Sequence, residues 1–231
     1  MSSAKYMIAN KRITMYVLIL MKENVSMGVF RRSDGNILEL SRDELVAIFE
    51  AARGHPAQLL IRILWETGMQ VREAVALTVG DVDTVHRKIR IVNTREACLR
   101  RGEHRSNGKR GKPERDIALP SVLYYPLCRA VHGRCTDEFL FFSRDPYCPF
   151  NARTIEILVR QLGRRLRIDG LTASAFRDTF ILHNLRNGTS RAPLQRHLGF
   201  LNRQPFKRYE SYLGRGTLNA DQMALSLEMR A

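Results

Sequence analysis

The sequence has neither an apolar run long enough to span a membrane nor a paired-cysteine motif that would bind a metal. The longest apolar run, residues 15–21, is far shorter than the roughly 20 residues of a membrane-spanning helix, so we expect no membrane segment. The 4 cysteines include no CxxC pair. The nearest metal-like cluster is Cys128, His132 and Cys135, which has neither paired spacing nor a fourth ligand. These absences favour a cytoplasmic protein without a bound metal.

Lysine and acidic residues are scarce beside arginine. Lys and Arg total 38 against 23 Asp and Glu, and since only 7 are lysines, 38 − 7 leaves 31 arginines and a formal net charge of +15. The planar guanidinium grips phosphate through several donors at once, whereas lysine acts as a point charge. The composition therefore indicates a nucleic-acid partner, with a basic protein that has no such partner as the alternative.

The apolar periodicity predicts a mostly helical fold with a small antiparallel sheet, an α+β class. Residues 1–38 are interpreted as an N-terminal arm, and a capping box of Ser41 and Glu44 begins a domain that spans 39–231. The helical segments that follow are 41–52, 57–67, 71–77, 121–132 with an interruption at Pro126, 152–166, 172–186, 191–198, 204–212 and 217–230. Strands 88–92 and 117–119 flank a basic loop, 100–112, and predict a hairpin.

Three sequence patches carry a family likeness. They are LWETGMQVREAVALTVGDVD at 64–83, GKRGKPERDIALP at 108–120, and a third that begins with LTASAFRDTFILHNLRNG and ends with LQRHLGFLNRQPFKRYESY, at 171–212. In order and spacing they resemble the catalytic domain of tyrosine recombinases, the phage integrase family, over residues 39–230. Within the family the patches are similar to plasmid resolvases, which implies a protein associated with the nucleoid or a plasmid.

The resemblance implies a reaction. Members of this family cut one DNA strand with a tyrosine hydroxyl, form a 3′-phosphotyrosine and release a 5′-hydroxyl, and they need no ATP, metal or other cofactor. It places the nucleophile at Tyr209, with Tyr212 as a backup. It also makes Arg177 a phosphate-gripping arginine and Lys109 the general-acid lysine, a role for which Lys112 competes. A packed aromatic, a surface arginine and a solvated basic loop are the alternative interpretations.

Three positions depart from the family pattern. Gln70 occupies the place of the arginine in T-G-x-R-x-x-E, and Arg72 would lie on the opposite face of a helix, about 200° away. Ser174 replaces the histidine of H-x-x-R, and Phe200 replaces that of L-G-H. Loss of one transition-state donor costs about 10²–10³ in rate, so strand cleavage is expected to be weakened or lost.

Two more residues bear on the same site. Asp178 follows the matched arginine, where the family commonly has a histidine. His197 stands three residues before Phe200 and could turn into the site in its place.

DNA phosphates are the expected partners of the other basic side chains, because each neutralised phosphate strengthens binding in a salt-dependent way. The candidates are Arg100, Arg101, Arg105, Arg110, Lys112, Arg160, Arg164, Arg165 and Arg203. The amphipathic segment 217–230 predicts a homo-oligomer on DNA, with packing on its own core as the alternative, and a partner recombinase is a further expected partner.

The sequence thus predicts a protein that binds double-stranded DNA, has weakened or lost strand cleavage, and acts in the maintenance or regulation of a plasmid or mobile element. An active site-specific recombinase is the first alternative. A basic protein that does not bind DNA is the second.

Overall fold

The computed structural model describes residues 37–93, 100 and 113–213. Its helices are α1 (Arg42–Ala51), α2 (Gln58–Thr67), α3 (Val71–Ala74), α4 (Ser121–Val131), α5 (Ala152–Leu166), α6 (Ala173–Arg186), α7 (Arg191–Leu198) and α8 (Lys207–Leu213). Its strands are β1 (Val82–Asp83), β2 (Lys88–Ile91) and β3 (Arg115–Ala118), and 3-10 turns lie at Val79–Asp81 and Gln204–Phe206. The predicted α+β class, mostly helical with a small sheet, is confirmed.

The capping box at the start of α1 is present. Glu44 N donates to Ser41 Oγ across 3.3 Å, and Ser41 N donates to Glu44 Oε2 across 2.7 Å. Two backbone donors that the helix leaves unpaired are satisfied in this way. Just before it, Leu40 N donates to Thr179 Oγ1 across 2.9 Å, which ties the entry to α1 onto α6.

The sheet is antiparallel with the order β1-β2-β3. In the predicted hairpin Ile89 pairs with Ile117, and on the other side of β2 the same isoleucine pairs with Val82. Alternation sends Ile89 and Ile117 into the core. Strand β1 was not predicted, because two residues are too few for a recognisable alternation.

Two predicted helices differ from the structure. The segment 71–77 is helical only to Ala74, because the next backbone bonds close on the third residue back, as in Leu77 N to Ala74 O. Helix α4 continues through Pro126, where an interruption was predicted. The buried Leu123 and Leu127 on either side hold it against the core. The predicted arm up to residue 36, most of the hairpin loop and the helix 217–230 lie outside the described residues.

The interior has two parts. The larger apolar cluster joins α1, α2, the sheet, α4 and α5 to the start of α6. A second cluster lies at the other end of α6 and includes Ile37, Ile181, Leu198, Phe206 and Tyr209. None of the helices in the described part is long and apolar enough to cross a bilayer.

Candidate active site

A surface cleft of about 440 Å³ opens where α3, α5 and the start of α6 meet. It is lined by Gln70, Ser174 and Arg177, three positions of the family's active-site pattern. Arg72 and Arg160 also line it, so three arginines border one cavity. The fold therefore assembles, from distant parts of the sequence, a concave surface suited to an anion.

Gln70 is the residue that caps α3 and is not part of that helix. Its backbone is extended, with φ −78° and ψ 151°, and its N–H donates to Glu73 Oε2 across 2.8 Å. Because α3 begins at Val71, residues 70 and 72 do not share one helix, and the predicted placement of Arg72 on the opposite face does not apply. Both side chains are exposed and border the same cleft.

Arg177 is buried and oriented by two carbonyl groups. Its Nη1 donates to Gly68 O across 2.5 Å, and its Nη2 donates to Leu198 O across 2.9 Å. Burial lowers the pKa of the Arg177 guanidinium, and the Glu73 carboxylate opposes that shift. An arginine keeps its charge in proteins, so the cleft has a fixed positive group in its wall.

Phe200 packs against this arginine, and Ser174 does not reach it. The guanidinium carbon of Arg177 lies 4.9 Å from the centre of the Phe200 ring, in a cation–π arrangement. The hydroxyl groups of Ser174 and Thr172 are 2.9 Å apart at the exposed start of α6. Phe200 thus orients a charge, and neither residue brings a charge of its own.

The Tyr209 hydroxyl is buried and donates to Asp178 Oδ1 across 2.7 Å. Burial first, and then the charge and hydrogen bond of Asp178, raise the pKa of Tyr209 well above the ordinary value of 10.0. The positive charges of Arg208 and Arg177 oppose this rise. At neutral pH the tyrosine therefore carries its proton.

Arg208 is the third member of a hydrogen-bonded group with Asp178 and Tyr209. Its Nη2 donates to Asp178 Oδ2 across 3.1 Å, and its guanidinium carbon lies 5.1 Å from the centre of the Tyr209 ring. The carboxylate of Asp178 is thereby fixed from both sides, with a tyrosine on one oxygen and an arginine on the other.

Tyr212, the backup, has different surroundings. Its hydroxyl accepts a hydrogen bond from Ile37 N across 2.9 Å, and its carbonyl accepts one from Arg186 Nη2 across 3.0 Å. The first contact joins the segment before α1 to α8, and the second joins α6 to α8. They give Tyr212 a part in the packing of residue 37, which the sequence assigned to the arm.

Arg115 on β3, whose side chain is only 8% exposed, is a residue that the sequence did not single out. Its Nε donates to His197 O across 2.7 Å, and its Nη2 donates to Glu73 Oε1 across 3.1 Å. The signal was present in the alternation along β3, since Arg115 falls on the same face as the buried Ile117.

His197 is held by contacts with Phe180 and Thr67. Its ring stacks on Phe180 with centroids 5.4 Å apart, and its Nε2 lies 2.8 Å from Thr67 O. A carbonyl can only accept, so Nε2 carries the hydrogen. Burial lowers the pKa of His197 below 6.5. The ring is not among the residues that line the cleft.

The predicted DNA-binding side chains have varied surroundings. Arg160 lies within 3.8 Å of Glu156 in the cleft wall, and Arg164, Arg165 and Arg203 are exposed. Arg100 Nη1 donates to Asp81 Oδ2 across 2.5 Å, so part of that guanidinium is engaged by the protein. The remaining candidates, which lie outside the described residues, are Arg101, Arg105, Lys109, Arg110 and Lys112.

Comparison with known proteins agrees with this geometry. The phage integrase family model matches residues 39–212, and the chain belongs to that family. The tyrosine recombinase XerA of Saccharolobus solfataricus is 23% identical over 194 residues, which are 84% of this chain and 57% of that protein. XerC of Herpetosiphon aurantiacus is 26% identical over 157 residues, 68% of this chain and 48% of that protein. The chain thus spans about half the length of these curated relatives.

Solved structures share the fold. A crystal structure of XerA recombinase superimposes with a TM-score of 0.59 at 20% identity, covering 100% of this chain and 78% of the other. The Tn1549 transposon integrase, solved with transposon right end DNA, gives a TM-score of 0.62 at 16% identity, covering 95% and 77%.

Proposed function

We propose that this protein binds duplex DNA with the face that carries the cleft, and that it cuts one strand slowly through Tyr209. One observation carries the proposal: three arginines, Arg72, Arg160 and Arg177, line one cleft, where a phosphate would meet all three. Tyr209 is buried and is not among the residues that line the cleft. The DNA complexes of structural neighbours favour the same partner.

The expected rate is low. Gln70 can donate a hydrogen bond to a phosphate oxygen but brings no charge, and the loss of one such stabilising group costs about 10²–10³ in rate. Lys109 remains the proposed general acid for the 5′-oxygen. A role in plasmid or mobile-element maintenance, a partner recombinase, and assembly through residues 217–230 remain predictions from the sequence.

A protein that binds DNA without cutting it is the second candidate. The uncharged side chains of Gln70, Ser174 and Phe200 favour it, because each stands where the family uses a charged or titratable group. Both candidates need DNA binding, so they differ only in whether a covalent bond forms.

Covalent capture distinguishes them. The chain is incubated with a library of randomised duplexes, each with a nick that lets a short 5′-hydroxyl fragment diffuse away after cleavage. Adducts are then isolated under denaturing conditions and sequenced. We expect a slow adduct that Tyr209→Phe abolishes and that Tyr147→Phe, at an exposed tyrosine, leaves unchanged. Adducts that persist in Tyr209→Phe and vanish in Tyr212→Phe would move the nucleophile to the backup.

Gel retardation over a salt series tests the binding face. For each phosphate contact, log K is expected to fall with log salt by a slope of about 0.9. Substituting Arg72 or Arg160 by alanine is expected to lower that slope by about one contact each, and Arg129→Ala, on α4, serves as the control. Duplex retardation without any adduct would favour the second candidate, and no retardation at all would refute both.

A further inference from the structure

The Tyr209 hydroxyl has one buried acceptor. Tyr209 Oη and Asp178 Oδ1 are 2.7 Å apart, and the residues are only 2% and 8% exposed. Asp178 belongs to α6 and Tyr209 to α8, so the packing of these two helices creates the contact. A nucleophile within hydrogen-bond reach of a proton acceptor has the geometry that general-base catalysis requires.

A second contact orients the acceptor. Arg208 donates to Asp178 Oδ2 across 3.1 Å, which leaves Oδ1 directed at the hydroxyl. Nucleophile, base and orienting group therefore occur together, the arrangement that marks an activated hydroxyl in unrelated enzymes. The charged groups that act on Tyr209 are Asp178, Arg208 and Arg177, and the other buried side chains of its cluster are apolar.

We propose that Asp178 is a catalytic residue of this chain, the base that takes the proton of Tyr209 as its hydroxyl oxygen attacks phosphorus. The inference rests on the proposed function, because it assumes that Tyr209 cuts DNA. It adds a residue where the family commonly has a histidine and where this chain has a carboxylate.

The atoms of the step balance. The bond from Tyr209 Oη to phosphorus forms while the bond from phosphorus to the 5′-oxygen breaks. The Tyr209 proton passes to Asp178 Oδ1, and the 5′-oxygen leaves with a proton from the general acid, for which Lys109 is the candidate. Rejoining runs the same transfers backwards, and Asp178 returns the proton to the tyrosine.

Burial makes a base necessary. The apolar cluster and the adjacent carboxylate disfavour a phenolate at rest, and the pKa of Tyr209 is accordingly raised. A preformed phenolate is therefore scarce at neutral pH, and the proton has to leave as the new bond forms. A positioned base typically contributes about 10²–10⁴ to the rate of such a step.

The test measures single-turnover cleavage of a duplex recovered by covalent capture. Asp178→Asn keeps the size and an acceptor oxygen but cannot take a proton, so we expect a loss of about 10²–10³. Asp178→His offers a nitrogen base and is expected to recover at least part of that loss. Asp169→Asn removes the same charge from an exposed turn before α6 and is the matched control. All rates are compared below the melting midpoint of each variant.

A second measurement tests the proton transfer with a modified substrate. In a substrate with sulfur as the 5′-bridging atom, the 5′-thiolate leaves without needing a proton. This substrate is therefore expected to rescue cleavage in Lys109→Ala and not in Asp178→Asn. On that substrate a solvent deuterium isotope effect in the wild-type chain reports transfer of the tyrosine proton alone.

The outcomes separate the two proposals. If the wild-type chain forms adducts and Asp178→Asn matches Asp169→Asn, the base is refuted and strand cleavage by Tyr209 stands. An isotope effect of one on the sulfur substrate also refutes the base. If the wild-type chain forms no adduct with any duplex, strand cleavage itself is refuted and the base with it.

Discussion

Arg115→Ala is expected to destabilise the fold strongly. The guanidinium joins three elements: it belongs to β3, donates to Glu73 on α3 across 3.1 Å, and donates to the carbonyl of His197 on α7 across 2.7 Å. The side chains of Arg115 and Glu73 are only 8% and 9% exposed, so water screens their interaction poorly. Removing the arginine leaves a buried carboxylate whose other oxygen keeps the N–H of Gln70.

The magnitude follows from that geometry. Removing one partner of a buried ion pair costs about 3–5 kcal/mol, because the remaining charge stays in a poorly solvated place. The free energy of unfolding of a small domain is about 5–15 kcal/mol in total, so the variant should be only marginally stable. Replacing both residues, as Arg115→Met with Glu73→Gln, removes both charges and should recover much of the stability that Arg115→Ala loses.

Equilibrium unfolding in urea measures the effect. The matched control is Arg90→Ala on β2, since Arg90 pairs with Glu114 across 2.6 Å and both side chains are about half exposed, at 49% and 44%. An exposed pair of this kind contributes about 0–1 kcal/mol. Equal losses in Arg115→Ala and Arg90→Ala, or a double variant no more stable than Arg115→Ala, would refute the reasoning.

Three other changes have defined outcomes. Gly68→Ala should cost about 2–4 kcal/mol in urea unfolding, because φ is +61° and an added Cβ would lie 2.5 Å from the Phe180 ring. Since burial lowers the pKa of His197, the folded state prefers the neutral ring, and its contribution is present above pH 6.5 and lost as the pH falls through the folded value. His197→Gln should therefore flatten the acid side of the stability profile. Gln70→Arg with Ser174→His should raise adduct formation at least about 10²-fold, and an unchanged rate would show that the scissile phosphate does not bind in the cleft.

Local chemistry predicted much of the fold. The capping box at Ser41 and Glu44 needs only residues three apart, and the hairpin needs only alternation around Ile89 and Ile117, so both were readable without tertiary information. The end of α3 was not readable. A change from four-residue to three-residue backbone bonds alters no apolar spacing, and it depends on how the next turn packs.

Contacts across the chain explain the parts of the site that the sequence did not reveal. Asp178 and Tyr209 are 31 residues apart in the sequence, and their 2.7 Å contact joins α6 to α8, which share one apolar cluster that includes Ile181 and Tyr209. Arg115 could have been suspected from the alternation along β3, but its partner Glu73 could not. A buried charged residue can be predicted from a sequence only when the residue that neutralises its charge can be predicted as well.

The charge of the cleft changes how the substitution at residue 70 should be judged. Because Gln70 has an extended backbone and α3 begins after it, its side chain and that of Arg72 border one cavity. Electrostatic stabilisation of a phosphate depends on where the positive groups lie and not on which residue supplies them. Arg72 is exposed, while Arg177 is fixed by two carbonyl groups. The substitution at Gln70 therefore removes a preorganised positive group but leaves the cleft positively charged, which favours slow strand cleavage over no cleavage.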